Sequence, residues 1–300
     1  MKNKIYLYMC GGLGNQLFQY AAAKNLAIKN NAQLIIDTGT GFFTDFRDFW
    51  KFSLDKKKII NVKFKKFIYF FLIFRIIKKI FKLNKSFYKF FSLHLINEMN
   101  ENKFNLKIYN FNITKNLHLM GYFQSSKYFE ENKKSIIKEI LPSAAKKNLF
   151  LDTKEKMVQS DSVALGIRLH ETMPQNITYK VGGVASCNFY KIAIRSLLKK
   201  IKKPKFFIFS TKNIHIDQVL LKIDDLKIYP KYIITEENGY TGSANDNLWL
   251  LSFCKNHIFS NSTFYWWGAY FSTFRYKKQI ITCSGNFPNA DSCPDNWLLK

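Results

Sequence analysis

Short apolar runs alternate along the chain with amphipathic segments of helical length, a pattern typical of α/β proteins. The chain begins with a predicted strand at residues 5–9, a glycine turn, a helix at 17–29 and a second strand at 34–37. This order predicts the opening β-α-β unit of a doubly wound domain, whose first turn commonly approaches a nucleotide or a sugar. Asp37 is expected to turn the chain after the second strand.

The alternation restarts midway along the chain, after a polar, lysine-rich stretch at residues 142–161. Strands are then predicted at 162–168, 206–209, 231–234, 257–260 and 279–282, and helices at 188–200, 247–254 and in the aromatic-rich segment that follows Ser260. We therefore predict an α/β protein with two Rossmann-like domains that face a cleft. The first would span residues 1–155 and the second 156–300.

Polar residues follow several of the predicted strands of the second half. Because the carboxyl ends of parallel strands lie at one edge of a sheet, Arg168, Ser210 and Ser260 are expected to converge on one crevice. Residues 260–263 also offer hydroxyls, an amide and backbone N–H groups directly before the aromatic residues of 264–270. This run fits both a phosphate site at a helix N-terminus and an ordinary capped helix whose aromatic side chains lie in the core.

The composition is that of a well-packed, strongly basic protein. Of its 300 residues 47% are hydrophobic, and 47 Lys and Arg against 21 Asp and Glu give a net charge of +26. Such a surface attracts phosphates, nucleic acid or anionic lipid. No nucleic-acid recognition module accompanies the charge, and the lysines are dispersed along the chain, so we expect no nucleic-acid partner.

The basic residues are most concentrated at 56–91, a segment with twelve Lys or Arg and no acidic residue. Its apolar residues recur at helical spacing, and its longest uncharged piece, 67–74, is too short to span a bilayer. Two interpretations stay open. The segment is either a basic amphipathic helix that lies on an anionic membrane surface, or a domain helix with a solvated lysine face.

The cysteines and histidines give no sign of a disulfide framework or a metal site. The five cysteines are odd in number and lack C-x-x-C pairing, and the five histidines lack a metal-binding spacing. We expect a reducing, cytoplasmic location, with peripheral membrane contact if the basic segment binds lipid. The first apolar run is too short for a signal peptide.

Three sequence motifs follow one another along the chain. They are CGGLGNQLFQY at residues 10–20, GYFQ at 121–124 and SNSTFYWWGAY at 260–270. Together they resemble the bacterial α-1,2-fucosyltransferases of glycosyltransferase family 11. The resemblance implies a GT-B architecture and inverting transfer of L-fucose from GDP-fucose, without metal or other cofactor. It also implies an acceptor with a galactose-type 2-hydroxyl, in an oligosaccharide or lipid-linked glycan of surface polysaccharide synthesis.

One motif departs from the family pattern. Where members usually carry H-x-R-R-G-D, this chain has Gly166-Ile-Arg168-Leu-His170-Glu171. The retained Arg168 is expected to hold the departing diphosphate, because a guanidinium can bind two of its oxygens through the transition state. Glu171 is the candidate catalytic base, with His170 a weaker one and an ion pair between Glu171 and a lysine the alternative. The altered motif leaves another nucleotide-sugar donor open.

The candidate site residues follow from the motifs and the strand ends. The expected catalytic residues are Arg168 and Glu171, and the expected donor-binding residues are Gly12, Gly14, Asn15, Gln16, Ser210, Asp246, Asn261, Ser262 and Thr263. Asp246 has a second interpretation as a helix N-cap, and Gln124 is weighed between acceptor binding and packing. The glycine turn followed by Asp37 also suggests an NAD-type oxidoreductase, but the third glycine of that fingerprint is missing.

Overall fold

Two β-sheets, one in each half of the chain, organise the fold. The computed structural model describes residues 2–39, 76–77, 80, 82, 85–90, 93–168, 186–210 and 213–300. The chain divides into two units, Met1–Ile140 with Asn289–Ser292, and Leu141–Pro288 with Cys293–Lys300. Each unit contains one mostly or wholly parallel sheet, so the α/β class predicted from the sequence is confirmed.

The first unit has a five-stranded sheet with the order β2-β1-β5-β4-β3. Its strands are β1 (Lys4–Tyr8), β2 (Gln33–Asp37), β3 (Phe87–Phe90), β4 (Leu93–Asn97) and β5 (Asn116–Met120). Neighbouring strands are parallel except β3 and β4. Three helices described in this unit are α1 (Leu13–Lys29), α2 (Leu106–Tyr109) and α3 (Lys133–Ile140). Asp37 turns the chain as predicted, because its Oδ1 accepts from the backbone N–H of Gly39.

The second unit has a six-stranded, parallel sheet with the order β11-β10-β9-β6-β7-β8. Its strands are β6 (Asp161–Gly166), β7 (Pro204–Phe209), β8 (Lys231–Ile234), β9 (Asn256–Phe259), β10 (Ile281–Cys283) and β11 (Leu298–Leu299). Helices described here are α4 (Asn148–Val158), α5 (Cys187–Leu198), α6 (Asn213–Leu221), α7 (Ala244–Leu251) and α8 (Thr263–Ser272). Counted from β6, the order beginning at β8 is 3-2-1-4-5-6, that of a doubly wound nucleotide-binding sheet.

The aromatic residues of α8 hold this helix in the core of the second unit. Trp266 and Trp267 are fully buried, and Trp266 packs against Trp297 near the C-terminus. Gly268 allows α8 to approach α7 closely, since a Cβ at this position would lie 2.1 Å from Cδ2 of Leu251. The N-terminus of α8 is therefore held firmly at the edge of the sheet.

The glycine turn of the first unit leads into its helix earlier than predicted. Gly11 has a φ of +76°, a conformation that favours glycine, and α1 begins at Leu13 instead of residue 17. The turn takes two amide side chains from α1 as partners. Gln16 Nε2 donates to the carbonyl of Gly11, and the Gln19 side chain binds both the N–H and the carbonyl of Cys10.

Two segments are marked in the sequence by their polar or basic composition. The polar stretch at 142–161 contains helix α4, whose Phe150 and Met157 are fully buried, so the second unit begins at Leu141, before the predicted boundary at 155. The basic segment 56–91 lies largely outside the described residues, and so do most of the positions with helical spacing, so its two interpretations stay predictions; residues 87–90 at its end form β3. Among the helices that the structure describes, none combines the length and apolar character needed to span a membrane.

Candidate functional site

A cleft with a volume of about 430 Å³ opens at the carboxyl edge of the second sheet. Three strand ends and two helices contribute to it. The lining includes Ile167 and Arg168 after β6, Ser210 after β7, Thr235 and Glu236 after β8, Asn247 in α7, and Ser262 just before α8. The cleft therefore occupies the part of a parallel sheet where ligands usually bind.

The position of the cleft within the sheet is also informative. β6 pairs with β7 on one side and with β9 on the other, so the strand order reverses between β6 and β9. Arg168 follows β6 and Ser262 follows β9, on the two sides of this reversal. A doubly wound sheet opens a crevice at this point, because the connections leave it in opposite directions.

The N-terminus of α8 lacks the side-chain cap that α5 and α7 have. Ser186 caps α5 by accepting from the backbone N–H of Phe189, and Ser243 forms a capping box with Asp246 on α7. Ser262 occupies the same position on α8, yet its hydroxyl makes no capping hydrogen bond. The first backbone N–H groups of α8 are therefore left at the cleft, where they can bind an anion.

Arg168 adds a positive charge to the same cleft. Its charge acts on the neighbouring Tyr265, where burial raises the pKa of the phenol and Arg168 opposes that shift. A guanidinium and an uncapped helix N-terminus both attract negative charge, and the guanidinium can bind two oxygens at once. This pair of groups suits a phosphate or diphosphate.

Tyr265 forms part of the cleft wall and packs directly on Gly166. A Cβ on Gly166 would lie 2.6 Å from ring carbons of Tyr265, so the position has no room for a side chain. The Tyr265 hydroxyl lies 2.9 Å from the carbonyl oxygen of Phe209 and 3.2 Å from that of Ile167, which ties the ring to the ends of β7 and β6. The Tyr265 ring therefore requires a glycine at position 166.

The aromatic cluster of α8 is therefore divided between two roles. We predicted that its rings lie in the core, and Tyr265, Trp266, Trp267 and Tyr270 are indeed buried. Phe264 is only partly buried, and both Phe264 and Tyr265 also line the cleft. Their position at the cleft was not predicted, because a run of aromatic residues is typical of a buried helix whether or not its first turn borders a cleft.

Two of the three strand-end residues expected to converge do so. Arg168 and Ser210 line the cleft, and Ser210 Oγ is buried without a hydrogen-bond partner among the described residues. Ser260 is fully buried and does not line it, because its hydroxyl lies against Tyr190 beneath the strand ends. Ser262 reaches the cleft in its place.

Asp246 belongs to the capping box of α7, and its neighbour Asn247 reaches the cleft. The N-cap residue of α7 is Ser243, and the Asp246 Oδ2 atom, three residues later, accepts from the backbone N–H of Ser243 at 2.8 Å and from its hydroxyl at 2.8 Å. Asn247, one residue later on α7, lines the cleft instead. Asp246 therefore serves the cap of α7 as its capping-box partner and not as the N-cap residue itself, and Asn247 becomes a candidate donor contact.

The other residues predicted in the second unit do not line the cleft or lie outside the described part. Asn261 is buried, and its amide donates to the carbonyl of Asn286 at 3.2 Å, which holds the loop before α8. Thr263 is the first residue of α8 and brings its backbone N–H to the uncapped end. Glu171 and His170 lie outside the described residues.

The donor-binding residues predicted in the first unit form the turn after β1. Gly12 is the N-cap residue of α1, so no side chain caps this helix. Gly14 lies in the first turn of α1. Gln16 is fully buried, and its side-chain Nε2 donates a hydrogen bond to the Gly11 carbonyl. In this structure Gln16 therefore stabilises the turn. Asn15 Oδ1 accepts from Gln124 Nε2 at 3.0 Å, which links the turn to the GYFQ motif.

The side chain of Glu98 accepts hydrogen bonds from the backbone of the GYFQ motif. Its Oε2 accepts from the backbone N–H groups of Tyr122 at 3.0 Å and Phe123 at 2.8 Å. Gly121 has a φ of +144° and lies so close that an added Cβ would be 2.5 Å from Cβ of Glu98. Sequence reasoning missed Glu98, since nothing in the chain marks it as the partner of a loop so distant in sequence.

We expect Glu98→Gln to flatten the pH dependence of stability. Burial raises the pKa of Glu98 to about 8, against the opposing effect of the two backbone N–H donors. Because the folded-state pKa exceeds the unfolded-state value, this group's contribution to stability falls as the pH rises toward about 8. Glutamine keeps an oxygen for both donors and cannot ionise. Relative to the variant, the wild-type protein should lose about 3 kcal/mol of unfolding free energy between about pH 6 and about pH 9.

Urea unfolding at several pH values measures this difference. Glu130→Gln is a matched control, because Glu130 is exposed and, within the described part of the chain, pairs with Lys133 at the surface. Its pH profile should follow that of the wild-type protein. Parallel profiles for the wild-type protein and Glu98→Gln would show that the buried carboxyl is not responsible.

The described side chains do not form a metal-binding cluster. Across the part of the chain that the structure describes, no group of three or more His, Cys, Asp or Glu side chains is arranged to hold a metal ion. The five cysteines are free thiols.

Known proteins resemble this chain over almost its whole length. An Escherichia coli protein named alpha-1,2-colitosyltransferase is 26% identical over 303 residues, which cover 97% of this chain and 96% of that protein. The Escherichia coli O-antigen biosynthesis glycosyltransferase WbnK is 27% identical, over 91% and 92% of the two chains. The crystal structure of fucosyltransferase NodZ from Bradyrhizobium has a TM-score of 0.49 and 15% identity, over 90% of this chain and 93% of that one. A model of the family described as Glycosyl transferase family 11 matches residues 4–292, and the chain therefore belongs to this family.

Proposed function

We propose that this glycosyltransferase moves L-fucose from GDP-fucose to the 2-hydroxyl of a galactose-type residue, with inversion at the anomeric carbon. The observation that carries the proposal is the meeting of Arg168 and the uncapped N-terminus of α8 in one cleft. Relatives named alpha-1,2-colitosyltransferase and O-antigen biosynthesis glycosyltransferase support the linkage and an acceptor in surface polysaccharide synthesis. Family membership also argues against the NAD-type oxidoreductase.

The reaction makes one demand that this cleft can meet. The acceptor oxygen forms a bond to the anomeric carbon as the bond from that carbon to the β-phosphate oxygen breaks, and the electron pair stays on the phosphate. Arg168 would hold two oxygens of the diphosphate, while the first N–H groups of α8 and the Ser262 hydroxyl hold others. These groups are in place before the charge develops, so they stabilise the transition state more than the substrate.

The acceptor hydroxyl must lose its proton during the displacement. Glu171 stays the predicted base, since it follows Arg168 closely in the chain, although it lies outside the described residues. We also propose that transfer needs no metal ion, because a guanidinium and a helix N-terminus can offset the charge that Mg²⁺ offsets in other transferases. A cytoplasmic enzyme with its basic segment on an anionic membrane remains a prediction.

A second donor has a specific observation in its favour. One relative is named a colitosyltransferase, and colitose is L-fucose without its 3-hydroxyl. The altered motif that begins at Gly166 is the place where the two donors would be distinguished if the sugar approaches the Tyr265 wall. The corresponding GDP-colitose is therefore the second candidate.

A donor screen tests the proposal without knowledge of the acceptor. We expect GDP to raise the melting temperature, with about 2.7 kcal/mol of added stability at a GDP concentration of 100 times Kd, and EDTA to leave this shift unchanged. Slow hydrolysis should occur with GDP-fucose or GDP-colitose and not with UDP-sugars or ADP-sugars. Equal shifts with GDP, UDP and ADP, or hydrolysis of a UDP-sugar alone, would overturn the assignment. Loss of the GDP shift in EDTA would overturn its metal independence.

A further inference from the structure

We propose that Glu236 selects guanine, by accepting two hydrogen bonds from the edge of the base that carries N1–H and the 2-amino group. This inference rests on the proposed function, because it assigns the base-binding end of the same cleft. Glu236 lines the cleft directly after β8. Among the described residues that line it, Glu236 is the one that carries a carboxylate.

The sheet separates Glu236 from the groups that attract phosphate. β7 lies between β6, which leads to Arg168, and β8, which leads to Glu236. Neighbouring strands are about 4.8 Å apart, so these two strand ends are separated by roughly 10 Å. A carboxylate beside a diphosphate would repel it, but a carboxylate across the next strand lies at the distance of the base in an extended nucleotide. Ser210, after β7, lies between the two ends and is available to the ribose or the α-phosphate.

The turn that carries Glu236 is fixed by local hydrogen bonds. The backbone N–H of Gly239 donates to the Glu236 carbonyl at 3.0 Å, and that of Tyr240 donates to the Thr235 carbonyl at 3.1 Å. Gly239 has a φ of +84°, which closes the turn. The Tyr240 hydroxyl lies 2.8 Å from Thr153 Oγ1, so helix α4 anchors this wall of the cleft. A side chain on such a turn presents its charge in a defined place.

The carboxylate of Glu236 is also available to a ligand. In the described part of the chain, it has no ion pair and no hydrogen bond, although the protein carries a net charge of +26. The residue is exposed at the cleft rather than buried beneath it. Its nearest acidic neighbour, Glu237, does not line the cleft.

The chemistry of the four bases decides which one a carboxylate can recognise. A carboxylate only accepts hydrogen bonds, so it requires adjacent donors on the base. Guanine offers two, N1–H and the 2-amino group. Adenine and cytosine place a ring-nitrogen acceptor beside their amino group, and uracil places its N3–H between two carbonyl oxygens. A carboxylate in this position therefore favours guanine and disfavours the other three.

Binding of GDP and of inosine diphosphate to the purified full-length chain, measured by calorimetry, tests the assignment. Inosine diphosphate differs from GDP only by the missing 2-amino group. We expect wild-type protein to bind GDP about tenfold or more tightly than inosine diphosphate, since one charge-assisted hydrogen bond is lost. Glu236→Gln should weaken GDP about tenfold or more and bring the two ligands within about threefold of each other. Glu237→Gln, which changes the adjacent charge, should keep the wild-type preference.

The same binding measurements distinguish a wrong assignment of Glu236 from a wrong assignment of the donor. If wild-type protein prefers GDP and Glu236→Gln keeps the wild-type ratio of GDP to inosine diphosphate, Glu236 does not read the base. The same conclusion follows if the variant weakens both ligands equally, because the carboxylate would then contact the ribose. If wild-type protein binds UDP or ADP as tightly as GDP, or binds none of them, the proposed function fails and the inference with it. An unchanged melting temperature of the unliganded variant excludes a folding defect.

Discussion

Replacement of Arg168 by lysine should lower kcat about 100-fold or more and leave the melting temperature within a few degrees of the wild-type value. Lysine keeps the positive charge but loses the planar fork that binds two oxygens at once. The loss should appear mainly in kcat, because the contact strengthens as charge develops on the β-phosphate. Release of GDP from the donor, with the acceptor or by slow hydrolysis, measures the effect.

Arg195→Lys is the matched control. Arg195 lies on α5 of the same unit, is exposed, and pairs with Asp225 at 2.9 Å away from the cleft. The same chemical change there should leave kcat and KM near their wild-type values. Near-normal kcat in Arg168→Lys would remove Arg168 from the reaction, and a similar loss in both variants would point to a general effect of the substitution.

The strands of the second unit could be predicted because their signal is local. Residues 206–209 of β7 are a continuous apolar run between Lys205 and Ser210, so burial on both faces of the strand is visible in the sequence. The sheet of the first unit was harder to predict. β5 contains His118, which is buried because the Tyr8 hydroxyl on β1 is its hydrogen-bond partner. No local pattern shows that a polar side chain has a partner so far away in the sequence.

The residues of the candidate site could likewise be predicted only in part from the sequence. Arg168, Ser210 and Ser262 could be predicted, because residues after parallel strands share one edge of the sheet. Glu236 and Asn247 could not, because their direction depends on a short turn after β8 and on the capping box of α7. Each of these features places one side chain in the cleft and its neighbour elsewhere.

The contact between Gly166 and Tyr265 predicts a large effect of a single added methyl group on stability. Gly166→Ala would place a Cβ 2.6 Å from two carbons of the Tyr265 ring. The ring cannot move away without losing the hydrogen bonds of its hydroxyl to the ends of β6 and β7. We expect a loss of about 1–3 kcal/mol in unfolding free energy and about tenfold weaker binding of GDP, because the displaced ring enters the cleft. Urea unfolding and calorimetry measure the two effects.

A double-mutant cycle shows whether the clash is the cause. Tyr265→Ala alone should destabilise the protein by about 3 kcal/mol or more, since it removes a buried ring. With the ring gone, Gly166→Ala should cost less than about 0.5 kcal/mol, so the two changes should be strongly non-additive. Gly285→Ala is the control for the backbone, because Gly285 follows β10 and a Cβ there would meet no atom within 4 Å. It should change stability by less than about 0.5 kcal/mol. An equal cost of Gly166→Ala with and without the Tyr265 ring would mean that the strain comes from the backbone at the end of β6, and the ring would then not explain the glycine.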